Sequence, residues 1–262
     1  MKILVGLKHV PDTETKIRVA DGQAAIDESQ VTKWIVSPYD EYALEAALRL
    51  REAGLAQEVL VVAAGRAASQ ASLRQGLAMG ADRAVLVDDA RLERADALTR
   101  ARALCGVVRA EGAGLVLLGK YGVGTDDGQT GPMLGELLGW PHAGGVSALE
   151  LRDAGFRVER GVEGGVEIQE GRLPAVITCD KGLNDPRYPT LKGIMQAKKK
   201  PLDVRSAVEV GVAEAELAAG PRVLWESLVL PPPRQRGRIV EGAPLEAARE
   251  LARLLRDEAK VL

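Results

Sequence analysis

The segment Gly119–Gly131, GKYGVGTDDGQTG, concentrates more chemistry than any other part of the chain. Its five glycines, Gly119, Gly122, Gly124, Gly128 and Gly131, let main-chain N–H groups approach a ligand that a Cβ would hold away. It follows an apolar run and leads into a helical pattern, so a helix N-terminus faces any anion that enters. Gln129 and Thr130 add neutral hydrogen-bonding groups. A nucleotide phosphate suits this chemistry; a mobile glycine-rich turn is the plainer alternative, and both stay open. Gly114–Tyr121 nearly spells GxxxxGK[ST], but Tyr121 replaces the hydroxyl that would hold magnesium and the middle residues form an apolar strand. No strict GxGxxG follows the first strand. Asp126 and Asp127 have no third metal ligand near them in sequence, and read as loop acids that accept backbone N–H bonds. Neither a metal site nor a catalytic residue is expected.

A second cluster is cationic. Between Lys181 and Arg205 lie seven basic residues and two acids, in a chain of net charge −2. Lys198, Lys199 and Lys200 are consecutive, and Leu191, Ile194 and Met195 stand as apolar residues in polar surroundings. Apolar anchors inside a basic rim suit a docking site for an acidic protein surface. The same residues would equally serve to tuck the segment onto its own core. His9, just after the first apolar run, is open to ligand contact or packing, and His142 reads as structural. Cys105 and Cys179 read as buried thiols.

The elements around these groups must position them. Ile3–Leu7 is a continuous apolar run, as for a strand buried on both faces. Ser37-Pro38-Tyr39-Asp40 is a helix start, with Ser at the N-cap, Pro at N1 and an acid at N3; Gly54 is the stop. Strands at Val59–Ala63, Ala84–Val87 and Leu115–Leu118 alternate with helices at Ala67–Met79 (capped by left-handed Gly80), Ala95–Ala110 and Thr130–Leu138. This alternation predicts a doubly wound, mostly parallel α/β sheet with helices on both faces, and ligands at the strand carboxyl ends where strand order reverses. Asp21-Gly22 punctuates the polar stretch Pro11–Gln30. Ala148–Gln169, broken by Gly155 and Gly164-Gly165, predicts an antiparallel ribbon. Ala175–Cys179 is another strand, Lys181–Pro201 a long loop without clean periodicity, Pro231-Pro232-Pro233 a stiff linker, and Leu245–Leu255 a short amphipathic helix.

Composition sets the outer limits. Within 262 residues, 35 Lys+Arg face 37 Asp+Glu, which argues against a polyanion binder, so no nucleic-acid partner is expected. Apolar residues at 46% and aromatics at only 3% imply a globular protein with an aliphatic core. Two histidines and two cysteines, with no CxxC pair, leave little room for a metal site, a His-dependent triad or a disulfide framework. The opening MKILVGLKHV is too short for a signal peptide or a membrane span, so a cytoplasmic location is expected.

These residues resemble the β subunit of electron transfer flavoprotein over nearly the whole chain. The most specific stretch is Val158–Lys200, VERGVEGGVEIQEGRLPAVITCDKGLNDPRYPTLKGIMQAKKK, similar to the family signature and its LNxPRYxTLxxIMxAKKK block. Gln169 departs from it, where the family usually has an aliphatic residue. Leu7–Val19, Ser37–Leu50, Leu77–Val87 and Leu117–Pro132 support the likeness. The resemblance implies an αβ heterodimer with one FAD held mainly by the α subunit, and AMP held by the β subunit. It implies electrons arriving from acyl-CoA and related dehydrogenases and leaving to a quinone-linked oxidoreductase, with no bond-making catalysis by this chain. Carried onto this sequence, AMP contacts fall on Gly6, Ser37, Pro38, Tyr39, Asp40 and Ala64. They continue through Gly119, Lys120, Tyr121, Gly122, Val123, Gly124, Thr125, Asp126, Asp127, Gly128, Gln129 and Thr130. Some relatives have Asn at the position of Ser37. Segment 181–200, with Leu191 as anchor, becomes the dehydrogenase-docking loop of an α/β domain over 1–220, and residues 221–262 become an arm packing on the α subunit. Two alternatives are a bifurcating relative with a second FAD in place of AMP, a branch in which VPDT (Val10–Thr13) also occurs, and a stand-alone adenine-nucleotide-binding module. DDGQTG at Asp126–Gly131 resembles the single-flavin branch more closely.

Overall fold

Continuous apolar runs become the central strands because both of their faces find a helix layer. The computed structural model describes residues 1–262 apart from Asp21, Gln23 and Gln235, so Asp21 of the expected Asp21-Gly22 turn lies outside the described residues. The chain runs β1 (Lys2–Gly6), β2 (His9–Pro11), β3 (Trp34–Val36), α1 (Pro38–Glu52), β4 (Glu58–Gly65), α2 (Gln70–Met79), β5 (Arg83–Asp88), α3 (Ala97–Glu111), β6 (Leu115–Gly119) and α4 (Thr130–Leu138). It continues through β7 (His142–Arg152), β8 (Gly155–Val162), β9 (Gly165–Arg172), β10 (Ala175–Cys179), α5 (Leu191–Ala197), β11 (Leu202–Arg205), α6 (Glu214–Ala219) and α7 (Pro244–Asp257).

Nine strands form one sheet in the order β11-β5-β4-β1-β6-β10-β7-β8-β9, all parallel except at the β7–β8 and β8–β9 pairs. The chain winds outward from β1 through β4 and β5, then returns to β6 on the other side of β1, so strand order reverses between β1 and β6. Alternate residues of β1 serve opposite layers. Ile3 and Val5 pack with Leu44, Leu48, Leu73 and Leu77 of α1 and α2, while Leu4 packs with Leu104, Val107 and Val108 of α3. Phe156 is the one aromatic residue among these buried side chains, so the core is aliphatic as expected.

Several expectations need correction. The expected antiparallel ribbon is present as β7–β9, and β7 pairs parallel with β10, so the ribbon extends the main sheet. Segment 181–201 is not all loop, since it contains α5, whose N-cap Thr190 accepts the Gly193 N–H through its side chain. Helix Ala67–Met79 splits into a 3-10 turn, Ala67–Ser69, and α2. Gly80 does end α2, at φ 140, which an L residue avoids. The β2–β3 antiparallel pair, α6 and the edge strand β11 are only three to six residues long each, too short to show a period in the sequence.

Candidate functional site

β1 and β6 end side by side, and α1 begins directly above them. Asp40, in the first turn of α1, is 6% exposed. Its carboxylate accepts the Lys8 N–H at 2.7 Å and the Gly119 N–H at 2.9 Å, joining the two strand ends where the order reverses. Burial pushes the Asp40 carboxyl up to about 7, against the pull of those two donors and of Lys8. Glycine is required at position 119: a Cβ there would meet Asp40 Oδ1 at 2.5 Å and Tyr39 Cβ at 2.7 Å.

Ser37 does not cap α1 through its side chain. Its carbonyl already receives the Asp40 and Glu41 N–H groups, and its hydroxyl accepts the Val123 N–H at 3.4 Å instead. Helix start and glycine loop are thereby linked. Lys8 completes the closure, its ammonium donating to Gly122 O at 3.3 Å, Val123 O at 3.0 Å and Thr125 Oγ1 at 3.1 Å. Farther along, Asp126 takes φ 47, and the Asp127 carboxylate accepts the Gln129 N–H at 3.0 Å, a local turn that starts α4.

Beneath this loop lies a cavity of about 140 Å³. Of the expected contacts, Gly6, Asp40, Ala64, Gly119, Gly122, Thr125, Asp127 and Thr130 line it. Ser37, Val123, Gly124, Asp126, Gly128 and Gln129 frame the loop without lining the cavity. Lys120 turns away to Asp180, at 2.9 Å, and Tyr121 packs edge-on to Tyr39 with ring centroids 5.6 Å apart. Pro38 and Tyr39 lie outside the lining. His9 does line it, yet its Nδ1 is 2.8 Å from Ser72 Oγ and its ring stacks on Trp34, so packing holds its orientation. Burial pulls the His9 and His142 pKa values down.

Sequence reasoning missed two cations in this lining, Lys8 and Arg100. Arg100 donates to Glu93 O at 3.1 Å, and neither cation forms an ion pair with a carboxylate among the described residues. Burial lowers both pKa values, and Arg100 lowers that of Lys8 further. A signal existed: Arg100 occupies the helical stripe continued by buried Leu104, Val107 and Val108, where an arginine is out of place unless it faces a polar cavity.

The basic segment stands at the far end of α1. Tyr188 and Leu191 are 91% and 84% exposed, and Ile194 and Met195 also face solvent, so the apolar residues do not tuck into the core. Both ends of the segment are fastened. At the start, Arg187 Nε lies 2.7 Å from Oε2 of buried Glu45, and Asn184 Nδ2 donates to Tyr42 O at 2.9 Å. At the end, Arg74 donates to Ala197 O at 2.6 Å and Lys200 O at 3.0 Å. Lys200 departs from its expected place in the basic rim. Its ammonium donates to Leu77 O at 3.1 Å and Ala81 O at 2.5 Å, capping α2, while Lys198 and Lys199 stay exposed. A groove of about 500 Å³ between α2 and α5 opens beside Pro189 and Ile194.

Both cysteines are buried, and burial pushes their thiols up. Among the described residues no three His, Cys, Asp or Glu side chains gather to hold a metal, and no helix is long and apolar enough to cross a membrane.

Fold and site together define a doubly wound α/β protein with a cavity at its strand-order reversal and an exposed, doubly anchored helix at the far end of α1. Residues 26–210 match the electron transfer flavoprotein domain family. The chain is 37% identical to the electron transfer flavoprotein subunit beta of Bacillus subtilis across 100% of both chains. It is 39% identical to the mitochondrial subunit beta of Arabidopsis thaliana, again over 100% of both, and 41% identical to the human subunit beta over 81% of this chain and 84% of that one. The chain belongs to the electron transfer flavoprotein β-subunit family.

Proposed function

We propose that this chain is the β subunit of a heterodimeric electron carrier. In this reading it binds AMP in the cavity between β1 and β6, supports an FAD-bearing α subunit, and offers α5 to acyl-CoA or related dehydrogenases. The chain itself makes and breaks no bonds; the flavin, when bound, takes up electrons from the donor and releases them to a quinone-linked oxidoreductase.

The observation that carries the reading is the double use of α1. Its first turn lines the cavity through Asp40, with Ser37 just before it bonded to the glycine loop, and its later turns hold the exposed segment through Tyr42 and Glu45. A ligand that orders the start of this helix also steadies the platform. What supports a nucleotide phosphate there is the loop itself: Gly119, Gly122 and Thr130 at the start of α4 line the cavity beside Lys8 and Arg100, with Asp40, Glu93 and Asp127 in the same lining. Its volume, about 140 Å³, is below that of ordinary small-molecule pockets. AMP is favoured over a second FAD by the DDGQTG stretch, Asp126–Gly131, which resembles the single-flavin branch.

Docking is tested by Leu191→Ala in the purified heterodimer. Leu191 is exposed, so its loss leaves the fold and the flavin content unchanged. Stopped-flow flavin reduction by the donor dehydrogenase should slow by about tenfold, the effect of losing one apolar anchor. Unchanged reduction rates, or loss of FAD from the variant, would contradict the docking role.

A further inference from the structure

Helix α5 touches α2 at one point and then parts from it. A Cβ on Gly193 would meet Ala78 O at 2.3 Å, so the two backbones are in contact there, while the small side chains of Ala78 and Ala197 leave space unfilled beyond it. The result is the groove of about 500 Å³ beside Pro189 and Ile194, within the roughly 300–1,000 Å³ usual for ligand pockets. Its walls are one-sided in charge. Arg74 and Lys198 line it with Gln75 and four apolar residues, and no carboxylate does. Glu41 of α1 accepts a hydrogen bond from Gln75 Nε2 at 3.1 Å and is not part of the lining. Arg74 is held in place by Ala197 O and Lys200 O, and Lys198, directly after α5, is exposed. Leu191 and Met195 point outward from the same helix. Helix α5 has seven residues and so is only about 10 Å long. A protein that covers Leu191 with an ordinary footprint of about 800 Å² therefore also covers the groove.

We propose that this groove receives an acidic segment of the electron-donating dehydrogenase, a carboxylate side chain beside an apolar one, while Leu191 enters the dehydrogenase from the opposite direction. This rests on the docking reading given above and adds to it a second, reciprocal contact. The carboxylate meets Lys198 and the Arg74 guanidinium, and the apolar side chain lies on Ile194 and Pro189. Joining opposite charge to apolar contact selects among partners, since a surface that brings a cation to this groove is repelled. Lys198 is the residue to vary, because Arg74 also fastens the end of α5 and its loss would disturb shape and charge together.

The test is steady-state reduction of the flavin-containing heterodimer by an acyl-CoA dehydrogenase supplied with its acyl-CoA. Lys198→Glu should raise the half-saturating heterodimer concentration by about tenfold with the maximal rate kept, and added salt should shrink the difference. Lys199→Glu makes the same charge change outside the lining and should raise that concentration by no more than about threefold, as for a solvated surface charge. Carbodiimide coupling of the unaltered proteins should join Lys198 to an Asp or Glu of the dehydrogenase that has an apolar neighbour. A rise in Lys198→Glu no greater than in Lys199→Glu, or coupling at Lys199 with none at Lys198, would reduce the groove to part of a diffuse positive field. Either result would overturn this proposal while leaving docking by Leu191 intact. Unchanged reduction in both Leu191→Ala and Lys198→Glu would overturn the docking reading itself, and this proposal with it.

Discussion

Glu111 is held well below the usual carboxylate range by the cations around it, and it lies away from the cavity. It is hydrogen-bonded by Arg83, by Arg205 at 2.6 Å and by Lys2 at 3.1 Å. Arg83 above all, then Arg205 and Lys2, holds its carboxyl at about 2, against about 4.3 for an ordinary glutamate. A depressed acid stabilises the fold fully above its unfolded pKa and loses that contribution as pH falls through the folded one. The relevant window is therefore about pH 4.3 down to about 2, and the contribution is worth up to about 3 kcal/mol. Glu111→Gln should lower stability by about 2 kcal/mol at neutral pH. In urea titrations the gap from the unaltered protein should close as pH drops toward 2; a gap that stays constant across that range would rule out the ion cluster as its cause.

Among elements, α5 is the clearest case of close approach. A Cβ on Gly193 would meet Ala78 O at 2.3 Å, so α5 lies directly on α2. Gly193→Ala should force the two apart, costing about 1–3 kcal/mol of local stability. It should raise amide exchange in residues 191–197 and slow donor-driven flavin reduction. Wild-type exchange and rate in this variant would show that the contact does not hold the helix in place. The same helix shows what the sequence could and could not reveal. Central strands such as Ile3–Leu7 were legible because burial on two faces demands continuous apolar residues, and the cavity's location followed from their order. Helix α5 was obscure because its apolar residues, Leu191, Ile194 and Met195, face solvent, so no buried stripe marked it. Ser37 misled through ambiguity: serine before Pro38 suits an N-cap, yet its hydroxyl serves the glycine loop. Arg100 stood in a readable helical stripe with Leu104, Val107 and Val108, but the cavity that explains it is assembled from segments remote in sequence.

At the scale of the whole molecule, the chain divides by where its apolar residues go. Those before residue 220 build the two aliphatic layers, and none from 221 onward belongs to either. Beyond that point Leu224, Trp225, Val229, Ile239, Leu245 and Leu251 are exposed, and α7 buries only Leu254. On the proposed function this arm folds against the α subunit. Deleting residues 221–262 should leave the melting temperature of the isolated chain within about 4 °C, since little core is lost. It should abolish co-purification with a flavin-bearing partner; a truncated chain that still pairs would place the contact elsewhere. The most direct test of the central claim is the cofactor stoichiometry of the native complex, read from its absorption spectrum and from mass spectrometry of the released ligands. The account predicts one FAD and one AMP per pair of unlike chains. A colourless chain found alone, or a complex with two flavins and no AMP, would contradict it.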